Sequence, residues 1–199
     1  LPTVNGSLRL PILTKLVFAA QVVSVLAINS SQAAGTVVAW GDNSHSQTDV
    51  PPSRTNIVAV AGGSFHSLAL GAAGGVLGWG DATAGATSPP AGLSNATALA
   101  AGAGFSLARQ INGYVIAWGD QTNVPSGLTN AVAITAAADN ALGLTRDGVV
   151  FPWGPVSSVP AQGTNVVAIA TGETHDLVLT GDGTTVAWGD SSLGKTAVP

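Results

Sequence analysis

The sequence predicts an all-β protein: a β-propeller of 35–39-residue repeats, each of three to four antiparallel strands, forming an incomplete ring. Three observations carry that prediction. Tryptophans recur at 40, 79, 118, 153 and 188, at intervals of 39, 39, 35 and 35 residues, and a fixed period of this size marks a repeat architecture. Between them, short runs rich in Val, Ala and Thr alternate with period two and end at Gly-containing turns, the pattern of half-buried strands. Composition agrees. Of 199 residues 26 are Gly and 11 Pro, 46% are hydrophobic and only 8% charged, against about 25% charged in an average globular chain. Disordered chains are charge-rich and poor in Val and Ile, so this one is expected to fold.

Residues 1–33 read differently from the rest. Arg9 and Lys15 precede a 13-residue apolar run, Leu16 to Ile28, interrupted only by Gln21 and Ser24. Polar residues follow, then small Ser31 and Ala33. This order predicts a secretory signal segment cleaved after Ala33. The run is shorter than the roughly 20 apolar residues that a bilayer span needs, so no stable membrane span is expected after cleavage. The location predicted is secreted or cell envelope, of a bacterial kind. Residues 34–199 would then form the β-propeller repeat region.

Each repeat has a constant and a variable part. Asn56, Asn95, Asn130 and Asn165 each stand 23 residues before a Trp, whereas 16, 16, 12 and 12 residues separate each Trp from the next Asn. A Pro (51, 90, 125, 160) falls five residues before that Asn. A rigid 23-residue unit thus alternates with a linker that tolerates a four-residue deletion, as loops do and cores do not. The unit reads as three short strands, with a fourth possible in the linker around Thr48-Asp49-Val50. The second and third strands meet at Asn112-Gly113, Asp147-Gly148 and Asp182-Gly183, the dipeptides of tight type I′ hairpins. Small residues on the first strand (Ala61, Ala100, Ala133, Ala170) let neighbouring sheets approach. Each Trp fills the space between sheets, a structural role.

The first Trp belongs to an orphan. Thr36–Asp42 matches the third strand of a unit whose first two strands are missing, so its edge needs a partner. A last unit without its third strand would supply one. Val198-Pro199 is equivalent to Val50-Pro51, inside a linker; the repeat region is therefore expected to be truncated at its C-terminal end.

Val60-Ala-Gly-Gly-Ser-Phe-His66-Ser-Leu-Ala-Leu70 and Ile169-Ala-Thr-Gly-Glu-Thr-His175-Asp-Leu-Val-Leu179 carry a G-x-x-H-S-L-x-L pattern, the second with Asp176 in place of a small residue. Trp-Gly-Asp recurs at 40, 79, 118 and 188; Trp153-Gly-Pro departs. In these motifs residues 34–199 resemble the regulator of chromosome condensation repeat family. The resemblance implies a propeller, usually seven-bladed. Compact units and the linker Gln47 to Pro51 are similar to its short-repeat secreted bacterial type, the β-lactamase inhibitory proteins. In that type the residues just before the motif His position present aromatics to a partner enzyme. The matching pairs here are Ser64-Phe65, Ala103-Gly104, Ala138-Asp139 and Glu173-Thr174, of which only Phe65 is aromatic.

Other chemistries leave little trace. Zero Cys excludes a disulfide scaffold and thiolate metal sites. Six basic against ten acidic residues give a net charge of −4, without the basic footprint that phosphate backbones require, so no nucleic acid is expected. Gly189–Thr196 spells a phosphate-loop pattern, but the repeat aligns it with the linker Gly41–Thr48 and no helix-forming run follows. His66 and His175 share a repeat position that accepts Phe105 and Asn140, which marks packing rather than catalysis. His175 and Asp176 are strand neighbours pointing to opposite faces, so they form no dyad. The carboxylates sit mostly in Trp-Gly-Asp and Asp-Gly turns, which turn chemistry explains.

The reading is a secreted, non-enzymatic scaffold for an unidentified protein partner, with no catalytic residues, cofactor or metal. Candidate partner contacts are Phe65, Asp139, Glu173, Thr174, Arg54 and Tyr114; Trp40, Trp79, Trp118, Trp153, Trp188, His66 and His175 are the structural repeat residues. The alternative is a carbohydrate- or envelope-binding structural module. A β-lactamase-inhibitor-like protein is a third reading.

Overall fold

The computed structural model describes residues 15–19, 36–52, 56–156 and 158–198. Each constant unit folds as one three-stranded antiparallel sheet in sequential order. Blade 1 holds β3 (Ile57–Gly62), β4 (His66–Gly71) and β5 (Val76–Gly80). Blade 2 holds β6 (Ala96–Ala101), β7 (Phe105–Gln110) and β8 (Val115–Gly119). Blade 3 holds β9 (Ala131–Ala137), β10 (Asn140–Thr145) and β11 (Val150–Trp153). Blade 4 holds β12 (Val166–Thr171), β13 (His175–Thr180) and β14 (Thr185–Gly189). Consecutive blades pack on one another and do not close into a ring.

The linkers contribute turns but no strand among the described residues. Blades therefore have three strands, not four, because Pro in every linker removes a ladder donor. The hairpins also differ from expectation. Gln110 N–H donates to Tyr114 C=O and Gly113 N–H to Gln110 C=O, with positive φ at Gly113 and not at Asn112. This is a three-residue loop, a type I turn followed by one left-handed residue, instead of a two-residue I′ turn. Only one position needs positive φ, which explains why Ala73-Gly74 serves in blade 1. The recurrent Asn has the same cause: Asn56, Asn95, Asn130 and Asn165 all lie at φ between 52 and 65°, a region that Asn tolerates better than most residues. There its C=O accepts from the hairpin of its own blade, as in Ile111 N–H to Asn95 C=O at 2.9 Å.

The core lies between blades rather than within them. Leu68 and Leu70 of blade 1 meet Leu99, Ala108 and Trp118 of blade 2. Phe105 and Leu107 meet Ile134 and Trp153, and Leu142 and Leu144 meet Val178 and Trp188. Each Trp thus seals the contact with the preceding blade, and small Ala61, Ala100 and Ala136 let the sheets close on it. Burying one such ring contributes on the order of 4–6 kcal/mol before entropy.

The first Trp breaks the series. Its strand, β2 (Val37–Gly41), pairs in parallel with β1 (Lys15–Ala19). All four described blades carry their own third strand, so none of them is the blade lacking one that the sequence leads one to expect as the partner of β2. Among the described residues no full blade precedes β2, and Trp40 is 37% exposed while the other four Trp are buried. Residues 1–14 and 20–33 of the proposed signal segment, and Arg54, lie outside the described residues. Among the described residues, no helix is long and apolar enough to cross a membrane.

Candidate interaction rim

The loop between the first and second strands of each blade comes to the same end of the molecule. The four loops are tied edge to edge. Ser64 N–H donates to Gly102 C=O, Ala103 N–H to Ala138 C=O, and Asn140 Nδ2 to Glu173 C=O, at 3.1, 2.7 and 2.6 Å. Phe65, Asp139, Glu173 and Thr174 therefore share one rim, with Phe65, Asp139 and Glu173 exposed. Tyr114 does not join them. It follows the hairpin turn at the far end of β7, about six strand residues or roughly 20 Å from the rim, where Ile111 and Val149 are also exposed. The sequence offers the contact candidates as one set; alternation of strand direction divides them between two ends.

The Gly-x-x-His motif builds these loops. A Cβ on Gly63 would stand 2.5 Å from His66 Cε1, one on Gly102 2.1 Å from Phe105 Cε1, and one on Gly172 2.7 Å from His175 Cε1. The ring at the fourth motif position lies directly over the first, which must be Gly. Blade 3 proves the rule by departing twice: Asn140 replaces the ring and Ala137 replaces the Gly. Asn140 instead turns to Glu173 C=O and to Val156 N–H. The sequence carried this signal, as a paired substitution at two motif positions.

His66 is fully enclosed, with Nε2 2.8 Å from Ser106 Oγ of the next blade. Burial pushes its pKa down to about 4, against opposing effects of the Ala103 backbone and the Asp81 carboxylate. The ring is neutral at pH 7 and bridges two blades. Its partner is thus a neighbouring side chain as well as backbone. His175 is half-buried in the matching place.

The Trp-Gly-Asp segments close the rim from outside. Asp81, Asp120 and Asp190 donate their N–H to the carbonyls of Phe65, Gly104 and Thr174, at 2.8, 3.0 and 2.8 Å. Pro155 has no N–H to give, so Gln121 Nε2 reaches across to Asp139 C=O instead, at 2.7 Å. Their carboxylates fold the linkers back. Asp42 takes Ser44, Asp81 takes Thr83 and Asp190 takes Ser192, each through both side-chain and backbone donors. These hydrogen bonds hold Asp42 and Asp81 below the ordinary carboxylate range, and Lys195 with Ser192 does the same for Asp190. Lys195 lies 2.7 Å from Asp190 and 3.2 Å from Thr174 Oγ1. Its phosphate-loop-like segment contains a single 3-10 turn, Ser192–Gly194, rather than the helix such a loop opens. His45 packs against Phe65 with ring centroids 4.5 Å apart and planes tilted by 41°. Among the described residues no three His, Asp or Glu side chains converge in a metal-like cluster.

A feature that the sequence reading missed lies beneath the linkers. Ser67 Oγ and Trp79 Nε1 both donate to Gln47 C=O, at 2.8 and 2.9 Å. Ser106 Oγ and Trp118 Nε1 repeat this on Ala86 C=O, at 2.9 and 2.7 Å. Among the described residues, no such carbonyl serves blades 3 and 4, which have the shorter linkers, and Trp153 Nε1 and Trp188 Nε1 are buried without a partner. The signal was present: Ser precedes the Leu after a long linker, Ala141 or Asp176 after a short one.

Sequential three-stranded blades, rim loops of the Gly-x-x-His form and one sealing Trp per blade define an RCC1-like β-propeller fold. Solved structures agree. Prp20p from Saccharomyces cerevisiae is similar at 24% identity and a TM-score of 0.62, over 75% of this chain and 48% of that one. Human WBSCR16 is similar at 22% identity and 0.61, over 79% and 58%. The ectodomain of the receptor kinase CR4 from Physcomitrella patens is similar at 26% identity and 0.57, over 67% and 39%. The chain spans between two fifths and three fifths of the length of these proteins. No protein-family model and no curated protein matches the sequence.

Proposed function

We propose that the chain is a secreted, non-enzymatic scaffold that binds a protein partner through the rim. The observation that carries this reading is the hydrogen-bonded junction of four loops, which holds variable side chains on a rigid frame. Exposed Phe65, packed against His45, supplies an apolar anchor, and hot spots of protein interfaces favour aromatics. Around it Asp81, Asp120, Asp139, Glu173 and Asp190 outnumber Lys195, so a partner with a basic contact face fits best. Of these, Asp81 and Asp190 also turn their linkers. Prp20p, of the same fold, is described with binding to Gsp1p and histones, which supports a propeller face as a protein-binding surface. With one aromatic on the rim, β-lactamase inhibition is not the activity proposed.

Photo-crosslinking tests the reading. A crosslinking residue at position 65 or 173 should capture a protein from extracellular material, and the same residue at position 114 should not. Equal capture at 114, or none from the rim, would sink the proposal. Retention on insoluble polysaccharide without any crosslink would favour a carbohydrate-binding module instead.

A further inference from the structure

Blade 4 differs from the other blades at its hairpin end, the end opposite the rim. Repeat spacing matches Gly181 with Ala72, Ile111 and Arg146 of the earlier hairpins, and Thr184 with Gly75, Tyr114 and Val149. It matches Gln162 with Gly92 and Gly127 of blades 2 and 3. Blade 4 thus lacks a side chain where the others have one, and carries hydrogen-bonding side chains at both flanking positions. The recurrent Asn uses the space. A Cβ on Gly181 would stand 2.7 Å from Asn165 Nδ2, so the carboxamide lies where a side chain at 181 would begin.

The result is a cleft of about 250 Å³ lined by Gln162, Thr164, Asn165, Thr180, Asp182 and Thr184. Every lining side chain is polar, and the backbone around them is fixed. Gly163 N–H donates to Pro160 C=O at 2.9 Å, a turn that sets Gln162 in place, and Gly181 N–H donates to Asn165 C=O at 2.8 Å. Thr180 Oγ1 and Thr184 N–H both donate to Asp182 Oδ1. These bonds hold the Asp182 carboxyl below the ordinary carboxylate range, so it is charged at pH 7. The carboxamides of Gln162 and Asn165 have no hydrogen-bond partner among the described residues. Asn165, Asp182 and Thr184 are exposed, which leaves the cleft open to solvent.

The lining selects the chemistry of an occupant. An anion meets Asp182 and no cationic side chain. A calcium ion takes about six to eight oxygens, whereas here the one carboxylate already has Oδ1 engaged by two donors. Carboxamides and hydroxyls present donors and acceptors side by side, and vicinal hydroxyls, each a donor and an acceptor, match such a mixture. The Thr methyl groups offer apolar contact to the C–H face of a ring. Clefts for drug-sized ligands span about 300–1,000 Å³, so this one has room for a single ring. We propose that the cleft binds one neutral pyranose sugar, held by the Gln162 and Asn165 carboxamides and by the Asp182 carboxylate. No aromatic lines it, so hydrogen bonding rather than stacking carries the recognition. The proposal rests on no part of the rim reading, because the two sites lie at opposite ends of the molecule.

The test titrates the full chain, labelled with 15N, with D-glucose, D-galactose, D-mannose and N-acetyl-D-glucosamine. The side-chain amide resonances of Gln162 and Asn165, assigned with Gln162→Gly and Asn165→Gly, should move saturably with at least one of the four. Tetrahydropyran, the same ring without hydroxyls, and calcium chloride should leave them in place. Three variants borrow residues that other blades already fold with. Asp182→Asn, the residue of blade 2, should weaken binding about tenfold or more, the usual effect of losing a hydrogen bond to a charged group. Thr184→Val, the residue of blade 3, should weaken it about threefold. Gly181→Ile, again from blade 2, should abolish it by displacing the Asn165 carboxamide. Methyl glycosides of the sugar that binds distinguish its source: tighter binding than the free sugar assigns a chain end, weaker binding a free sugar, and either supports the site. Resonances that none of the four sugars moves would overturn the proposal. So would an equal response to tetrahydropyran or calcium chloride, or undiminished binding by Asp182→Asn. Failure here leaves the rim reading standing, and failed crosslinking at the rim leaves this one.

Discussion

Blades 1 and 2 and blades 3 and 4 share a fold but hold it together differently. The first two have 16-residue connections that turn a carbonyl onto a Ser and a Trp. The last two have 12-residue connections, Trp donors without acceptors, and substitutions at the Ser position. What is shared by all four is the burial of the Trp in an apolar cluster, against the preceding blade in blades 2 to 4 and with Val37 of β2 in blade 1. Shape and burial therefore define the blade, and the polar clamp is an addition that a short linker can forgo. An unpaired buried N–H costs about 1–3 kcal/mol, less than the burial of the ring itself contributes, so the fold survives the deletion.

Three tests would break or sharpen this contrast. The largest effect is expected at the rim motif. Gly102→Ala would set a methyl 2.1 Å from the Phe105 ring and 2.5 Å from Ala138 C=O, and should cost about 3 kcal/mol in urea unfolding. The reverse change in blade 3, Ala137→Gly, meets no ring and should cost under about 1 kcal/mol. Equal losses would refute the ring-over-Gly account.

The second contrast is electrostatic. Burial pushes Asp176 up to about 6, while the Thr171 hydroxyl works the other way. A carboxyl whose folded pKa lies above its unfolded value favours the fold when protonated. Its contribution is complete below about pH 4 and is lost as pH rises to about 6. His66, with its folded pKa lowered to about 4, behaves oppositely: its contribution is complete above about pH 6.5 and is lost as pH falls toward 4. Asp176→Ser, which restores the residue of blades 1 and 2, should raise stability at pH 7 by on the order of 1–3 kcal/mol. That gain should shrink as pH falls to 4, where a thermal melting series would show the two proteins converge. A gain independent of pH would mean that packing, not charge, is responsible.

The smallest effect concerns the indole donor. Trp118→Phe removes a bond to Ala86 C=O, whereas Trp153→Phe removes an N–H that bonds nothing. The first should therefore cost about 1–2 kcal/mol more than the second in matched denaturation curves. Indistinguishable costs would show that the clamp contributes nothing to stability.

Much of this architecture was legible in advance because repetition turns a single chain into its own comparison. Five Trp at near-constant spacing, a constant Asn-to-Trp distance and period-two strands specified the blades, their order and the place where length varies. The hairpin type was not legible. Asn-Gly and Asp-Gly occur in both two- and three-residue turns, and only the paired carbonyls show that one left-handed residue suffices. The division of Phe65 from Tyr114 could have been read from strand direction, whereas the shared rim of Phe65, Asp139 and Glu173 required the blades to be set side by side. The exposed face of Trp40 followed from what its strand meets, which local sequence does not encode.

By itself, then, the sequence determined the blade: periodicity, turn residues and a small-residue first strand leave the chain few ways to bury its apolar face. Tertiary structure alone decided what each recurrent side chain does once buried. Equivalent positions acquire different partners when a linker loses four residues, because hydrogen bonding depends on atoms ångströms apart that the chain order separates by twenty or thirty residues. Asp176 is the clearest instance. In sequence it is a small departure from a motif; in the folded protein it is a buried acceptor whose cross-strand partner Trp188 carries a buried donor.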